Sequence, residues 1–141
     1  MCIRDRATKL GAKVVVVTKP REICPGVFLV GPLGDKIVEQ ALAVATRKGL
    51  VVIAGCSHPG VVEIVTEAKK QLKQDVYMVC GGMHLLNHSE SAVKHIIARL
   101  KDLGVQAVGP THCTGEKAIA LFKEAFGDAY IQIGAGKVLQ F

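Results

Sequence analysis

The chain has no Trp, only 4% aromatic residues and no apolar run of membrane-crossing length. Uninterrupted apolar stretches such as residues 14–17 and 50–54 stop far short of the ~20 residues that a bilayer span needs. No membrane partner is expected. A basic start followed by an apolar stretch and a small-residue cleavage site is also missing, so no secretory signal is read. The five cysteines are odd in number and contain no C-x-x-C pair, which argues against both a disulfide framework and a structural zinc motif. Reduced thiols in a cytoplasmic protein are the plainer reading. Walker loops, dinucleotide fingerprints and nucleophile elbows are absent too.

The net charge is +6, from 18 Lys and Arg against 12 Asp and Glu. These cations are scattered and the aromatics needed for base stacking are scarce, so a solvated basic surface is the default and a nucleic-acid surface the lesser alternative. What is present suffices for one compact domain: 141 residues, half of them hydrophobic.

From residue 50 onward, short runs rich in Val and Ile alternate with helix-period segments, the pattern of βα units on a largely parallel sheet. Strands are predicted at 50–54, 76–80 and 105–109. A first helix over about 60–73 aligns Val61, Val62, Ile64, Val65, Ala68 and Leu72 on one stripe. A second runs from an N-cap at Ser89 to Gly104, and a third is predicted to be capped by Thr114 and ended by Gly127. Two short strands, 130–133 and 137–140, are expected to close the chain. Upstream, the pattern predicts a strand at 13–18, a Pro/Gly-punctuated stretch over 20–34, and a strand at 37–46 that turns through Arg47-Lys48-Gly49 into 50–54 as a hairpin. Residues 1–12 are set aside as a non-native or disordered start, and 13–141 are taken as the domain.

Each of the three clear strands runs into a histidine that precedes a helix. The segments are Gly55-Cys56-Ser57-His58-Pro59-Gly60, Gly81-Gly82-Met83-His84-Leu85 and Pro110-Thr111-His112-Cys113-Thr114-Gly115. In a parallel sheet with helical crossovers the carboxyl ends of the strands share one edge, so these loops can converge. Neutral imidazole is a good ligand for zinc or iron, which makes His58, His84 and His112 candidate metal ligands. His84 has an alternative role: Gly81 and Gly82 could present backbone N–H groups to a substrate phosphate or carboxylate while His84 donates a hydrogen bond. Ser57 and Thr114 are candidate substrate-binding hydroxyls, although capping and turn bonds explain them equally well. His88 and His95 read as surface residues. Cys56, Cys80 and Cys113 read as packed or supporting thiols, with metal ligation the alternative. Glu39, Glu63 and Asp35 are candidate acids or bases only in the weakest sense, and a helix or strand surface is their default assignment.

These three segments, together with Lys48-Gly49-Leu50-Val51-Val52-Ile53-Ala54 leading into the first, resemble the C-terminal half of the metallo-β-lactamase-fold metal-dependent hydrolases. The branch they resemble most is similar to 7,8-dihydropterin-6-yl-methyl-4-(β-D-ribofuranosyl)aminobenzene 5'-phosphate synthase, and the likeness covers residues 20–141. The resemblance implies an α/β fold, one half of an αββα sandwich with a two-metal site at one edge. It also implies metal-ligand roles for His58 and His112, with His84 near the position of a bridging acid. The implied cofactor is a divalent metal: zinc, with manganese or iron as alternatives, and two ions in the complete protein. The implied reaction is hydrolysis of a small-molecule phosphoester or acyl substrate by metal-bound hydroxide.

The family's His-x-His-x-Asp-His run, normally in the N-terminal half, occurs nowhere in this chain. The expectation is therefore a fragment that is incomplete as a catalyst and prone to self-association through uncovered apolar surface. The competing expectation is a non-catalytic half-domain or packing module.

Overall fold

The computed structural model describes residues 3–141. Met1 and Cys2, part of the stretch set aside as a non-native or disordered start, lie outside the described residues. The next residues form a short helix, α1 (Ile3–Lys9), that buries none of its side chains.

Six strands follow: β1 (Arg21–Cys24), β2 (Val27–Leu33), β3 (Glu39–Thr46), β4 (Gly49–Ala54), β5 (Val76–Gly82) and β6 (Ala107–Thr111). They form one sheet in sequential order. β1 to β4 are mutually antiparallel and joined by short turns, whereas β4, β5 and β6 are parallel. The β1–β2 turn is Pro25-Gly26, with Gly26 at φ 76°, the pairing that a type II turn requires. The expected hairpin between β3 and β4 is present, its register running from Leu42 opposite Ile53 to Thr46 opposite Gly49. The Thr46 hydroxyl braces that turn by donating to the Gly49 carbonyl at 2.7 Å.

The parallel half requires crossovers, and helices supply them. α2 (Val61–Leu72) links β4 to β5, and α3 (Glu90–Asp102) links β5 to β6. α4 (Glu116–Phe126) follows β6. Ser89 caps α3 as expected, its hydroxyl accepting from the Ala92 amide. Because the strands are in sequential order and the crossovers share a hand, all three helices lie on one face of the sheet. Val61, Ile64, Val65, Val93, Ile97, Leu100 and Phe122 pack there against Val30, Leu50, Val52, Val79 and Val108. The opposite face carries a smaller cluster of Val51, Met78, Cys80 and Ala107, overlain by Ile131, Ile133 and Leu139 of the C-terminal segment. One helix layer on one mixed sheet is the α/β architecture expected.

Four local expectations are corrected. Residues 13–18 form no strand despite four consecutive valines: no neighbouring strand pairs with them, and β propensity takes effect only against such a neighbour. Conversely, the Pro/Gly-punctuated 20–34 stretch, for which no element is predicted, forms β1 and β2, with Pro25-Gly26 at the turn and Gly31-Pro32 inside β2. Near the C-terminus, residues 130–133 and 137–140 form a single parallel bridge, Tyr130 beside Val108, rather than two strands. Finally, Gly115 precedes α4 without a side-chain cap, and Thr114 is engaged elsewhere.

Candidate metal centre

The carboxyl ends of β4, β5 and β6 meet at one sheet edge, and side chain–backbone bonds tie their loops together. Ser57 is buried in the loop after β4 and donates to the Gly82 carbonyl at 2.6 Å. The Gly82 amide donates back to the Gly55 carbonyl at 2.9 Å. Thr114 is fully buried in the 3₁₀ turn after β6 (His112–Thr114); its hydroxyl accepts from the Met83 amide at 3.1 Å and donates to the Thr111 carbonyl at 2.6 Å. The Cys113 thiol donates to the Cys56 carbonyl at 3.5 Å. All three loops are therefore held before any ligand arrives.

Each loop also contains one non-glycine residue in left-handed backbone: Ser57 (φ 63°), His84 (φ 52°) and His112 (φ 53°). Such conformations are unfavourable and collect at functional sites. At His84 the effect is direct. Met83 and Leu85 on either side are buried while the His84 side chain remains exposed at the rim.

His58 is gripped by Glu39 at the start of β3. One carboxylate oxygen accepts from the His58 backbone amide at 3.0 Å, and the other sits 2.5 Å from Nδ1. A carboxylate on Nδ1 fixes the proton there and leaves Nε2 as the free lone pair, the arrangement usual for a metal-binding histidine. The His58 and His84 rings are 4.4 Å apart, centroid to centroid, tilted by 50°. Both line a cavity of about 640 Å³ with Asp35, Lys36 and Glu63.

Among the described residues, two groups of side chains could hold an ion: Glu39, Cys56 and His58; and Cys56, His112 and Cys113. In each group the donor atoms lie within 4.8 Å of one another. Both imidazoles thus approach the Cys56 sulfur, and imidazole and thiol donors suit a divalent metal of the zinc type, while both Glu39 oxygens are engaged by His58. His84 is in neither group and contacts His58 instead. Partial burial, the hydrogen bond with Cys113 and the nearby Cys113 and Glu39 charges push the Cys56 thiol above its ordinary range. Burial raises the Cys80 thiol as well, but that side chain packs under the sheet, away from the rim.

Several assignments change once the loops are seen. The Ser57 and Thr114 hydroxyls are both engaged in bonds that hold the loops together. The Gly82 amide, expected to face an anion, is engaged by Gly55. The two glycines are needed for packing: a Cβ at Gly81 would lie 2.0 Å from the Ala54 carbonyl oxygen, and one at Gly82 only 2.4 Å from that of Gly55. Glu39, assigned by default to the surface, is instead the partner of His58. The β3–β4 register could have revealed it, because continuing that register past Leu42 and Ile53 puts Glu39 opposite Cys56. His88 and His95 are exposed, as expected.

No protein-family model matches the chain. A curated relative, the 7,8-dihydropterin-6-methyl-4-(β-D-ribofuranosyl)-aminobenzene-5'-phosphate synthase of Methanocaldococcus jannaschii, is 32% identical over 169 residues, covering 99% of this chain and 56% of that protein. An uncharacterized protein of the same organism is 31% identical over 100 residues, covering 71% of this chain and 37% of its own length. Among solved structures, a metal-dependent hydrolase of the β-lactamase superfamily superposes with a TM-score of 0.82 at 34% identity, covering 91% of this chain and 58% of the other. The chain thus spans little more than half the length of the synthase and of the solved hydrolase. It is homologous to a methanogen pterin-phosphate synthase and shares its fold with a metal-dependent hydrolase of the β-lactamase superfamily.

Proposed function

We propose that the β4–β6 rim is part of a metal-dependent hydrolytic site for a small-molecule phosphoester or acyl substrate. The observation that carries this reading is the meeting of three tied strand-end loops where His58, His112, Glu39, Cys56 and Cys113 present donor atoms within reach of a shared sulfur. His58 and His112 would hold divalent metal, zinc in the first instance with manganese or iron as alternatives, and two ions are proposed for the complete site. A metal bound there would supply Lewis-acid polarisation and acidify water.

The chain's own residues supply the rest. Glu39 keeps the proton on His58 Nδ1 and so orients Nε2. His84, next to His58, lines the cavity with Lys36, and both could meet an anionic substrate group. The solved neighbour's metal-dependent hydrolase activity and the relative's phosphate-bearing product both support this substrate class. Nucleic acid is not the partner proposed. The four cysteines among the described residues are free, which supports a reducing compartment such as the cytoplasm. Among the described residues, no helix is long and apolar enough to cross a membrane.

The test is metal content after reconstitution of the chain and of His58→Ala and His112→Ala. Each substitution is expected to lower bound metal, and unchanged content in both variants removes the proposal. A second reading is a half-domain that binds metal without catalysing. Hydrolysis of a generic phosphodiester by this chain at stoichiometric metal would contradict it.

A further inference from the structure

We propose that Cys56, His112 and Cys113 form a sulfur-rich subsite for one thiophilic divalent ion, in which two thiolates and one imidazole are the protein ligands. The inference rests on the reading that this rim binds metal and adds which atoms dominate the binding.

The three donor atoms lie within 4.8 Å of one another. A tetrahedral zinc with bonds of about 2.3 Å to sulfur and about 2.0 Å to nitrogen would bring the sulfurs to about 3.8 Å, a movement that side-chain rotation can supply. His112 and Cys113 are adjacent in sequence, and in an extended strand their side chains would point to opposite faces. The left-handed turn at His112 (φ 53°) breaks that alternation, so both reach Cys56. Glycine at position 82 clears the space, since a Cβ there would sit 2.9 Å from the Cys113 sulfur.

The two thiols are partnered with each other by a side-chain hydrogen bond, the Cys113 thiol makes a further long contact to the Cys56 carbonyl, and both cysteines are free. Soft thiolates select zinc-like ions over hard cations. Three protein donors leave a fourth position for an outside ligand, as catalytic zinc sites do. Cys24 and Cys80 share none of these features: Cys24 is exposed on β1, and Cys80 packs among Val51, Met78 and Ala107.

The experiment is anaerobic titration of the chain with Co²⁺ in a non-thiol reductant, followed by absorption spectroscopy. The expected result is a near-ultraviolet sulfur-to-cobalt charge-transfer band with intense four-coordinate visible bands, saturating at one equivalent. Cys56→Ser and Cys113→Ser, checked for folding by circular dichroism, should each lose the charge-transfer intensity and weaken binding by more than about 100-fold, beyond the loss caused by removing an outer-shell partner. Cys24→Ser should match the parent. A Cd²⁺ nuclear resonance at a position typical of two thiolates would support the same assignment without relying on Co²⁺. Co²⁺ binding that lacks the sulfur band but depends on His58 would overturn this subsite and leave the hydrolytic reading standing. Failure of Co²⁺ to bind at all would overturn both.

Discussion

The same residue type does opposite things in two parts of this molecule. Val52 and Val79, in the parallel half, are fully buried, whereas Val16, in the segment before β1, is 70% exposed and belongs to no strand. In the first case neighbouring strands complete the hydrogen bonds and helices cover the face. In the second, among the described residues, the side-chain bond to that run comes from Gln40, whose amide donates to the Val17 carbonyl. The β4–β6 region is therefore rigid and able to hold a site by its own packing, while residues 3–20 add little to it. Substitutions that strike the first region should be costly, and those in the second nearly silent.

The largest effect is expected from Gly81→Ala. The new methyl would meet the Ala54 carbonyl oxygen at 2.0 Å, at a position whose φ is 116°, so clash and backbone strain add where the ends of β4 and β5 pair at the rim. A loss of about 4 kcal/mol or more in urea unfolding is expected, and a loss below about 1 kcal/mol would show that β4 and β5 can separate freely. Next is Thr114→Val, which keeps shape but leaves the Met83 amide without its partner. Unfolding free energy should fall by about 1–3 kcal/mol, and metal affinity should drop with it if the tied loops pre-form the site.

Glu39→Gln separates the site from the scaffold. The carboxylate holds His58 from a half-buried position at the rim, so stability should change little while metal affinity falls by about 10–100-fold. Equal affinity for parent and variant by competition titration would show that the pair does not orient the imidazole.

A smaller effect should appear in alkaline solution. Burial raises the Cys80 thiol, so the folded chain holds the neutral form better than the unfolded chain does. That contribution is complete below the ordinary thiol value of 9.0 and is lost as pH rises through the raised folded value. The urea midpoint should decline above about pH 9, and less steeply in Cys80→Ala. At pH 8, an alkylating reagent should modify exposed Cys24 while Cys80 stays protected; rapid modification of both would mean that the lower sheet face opens.

The contrast between the two regions also explains what could be read in the sequence. Helix periodicity and three strand-end histidines at spacings of one βα unit each are local patterns, and chain topology turns them into a common rim. Glu39 was not legible because a lone carboxylate has no local signature; only the hairpin register brings it opposite Cys56. The Ser57 and Thr114 hydroxyls could serve either turn or substrate in the sequence, and in the fold both are buried and bonded between the loops. Residues 13–18 and 130–140 were misread for one reason: strand formation there depends on an available neighbour, which composition cannot show.

The smallest change in stability is expected where that misreading occurred, and it provides a control for everything above. Val15→Ser with Val16→Ser removes apolar surface that is already in water, so unfolding free energy should move by no more than about 0.5 kcal/mol per site. Association is a different matter. Exposed Val14, Val15 and Val16, and on the sheet Ile23 and Ile53, leave apolar surface that a second molecule can cover. Sedimentation of the parent chain should therefore show reversible self-association, weakened by the double substitution while the metal titration stays unchanged. A monodisperse parent would remove this expectation, and a double variant that lost metal binding would mean that the N-terminal segment supports the rim after all.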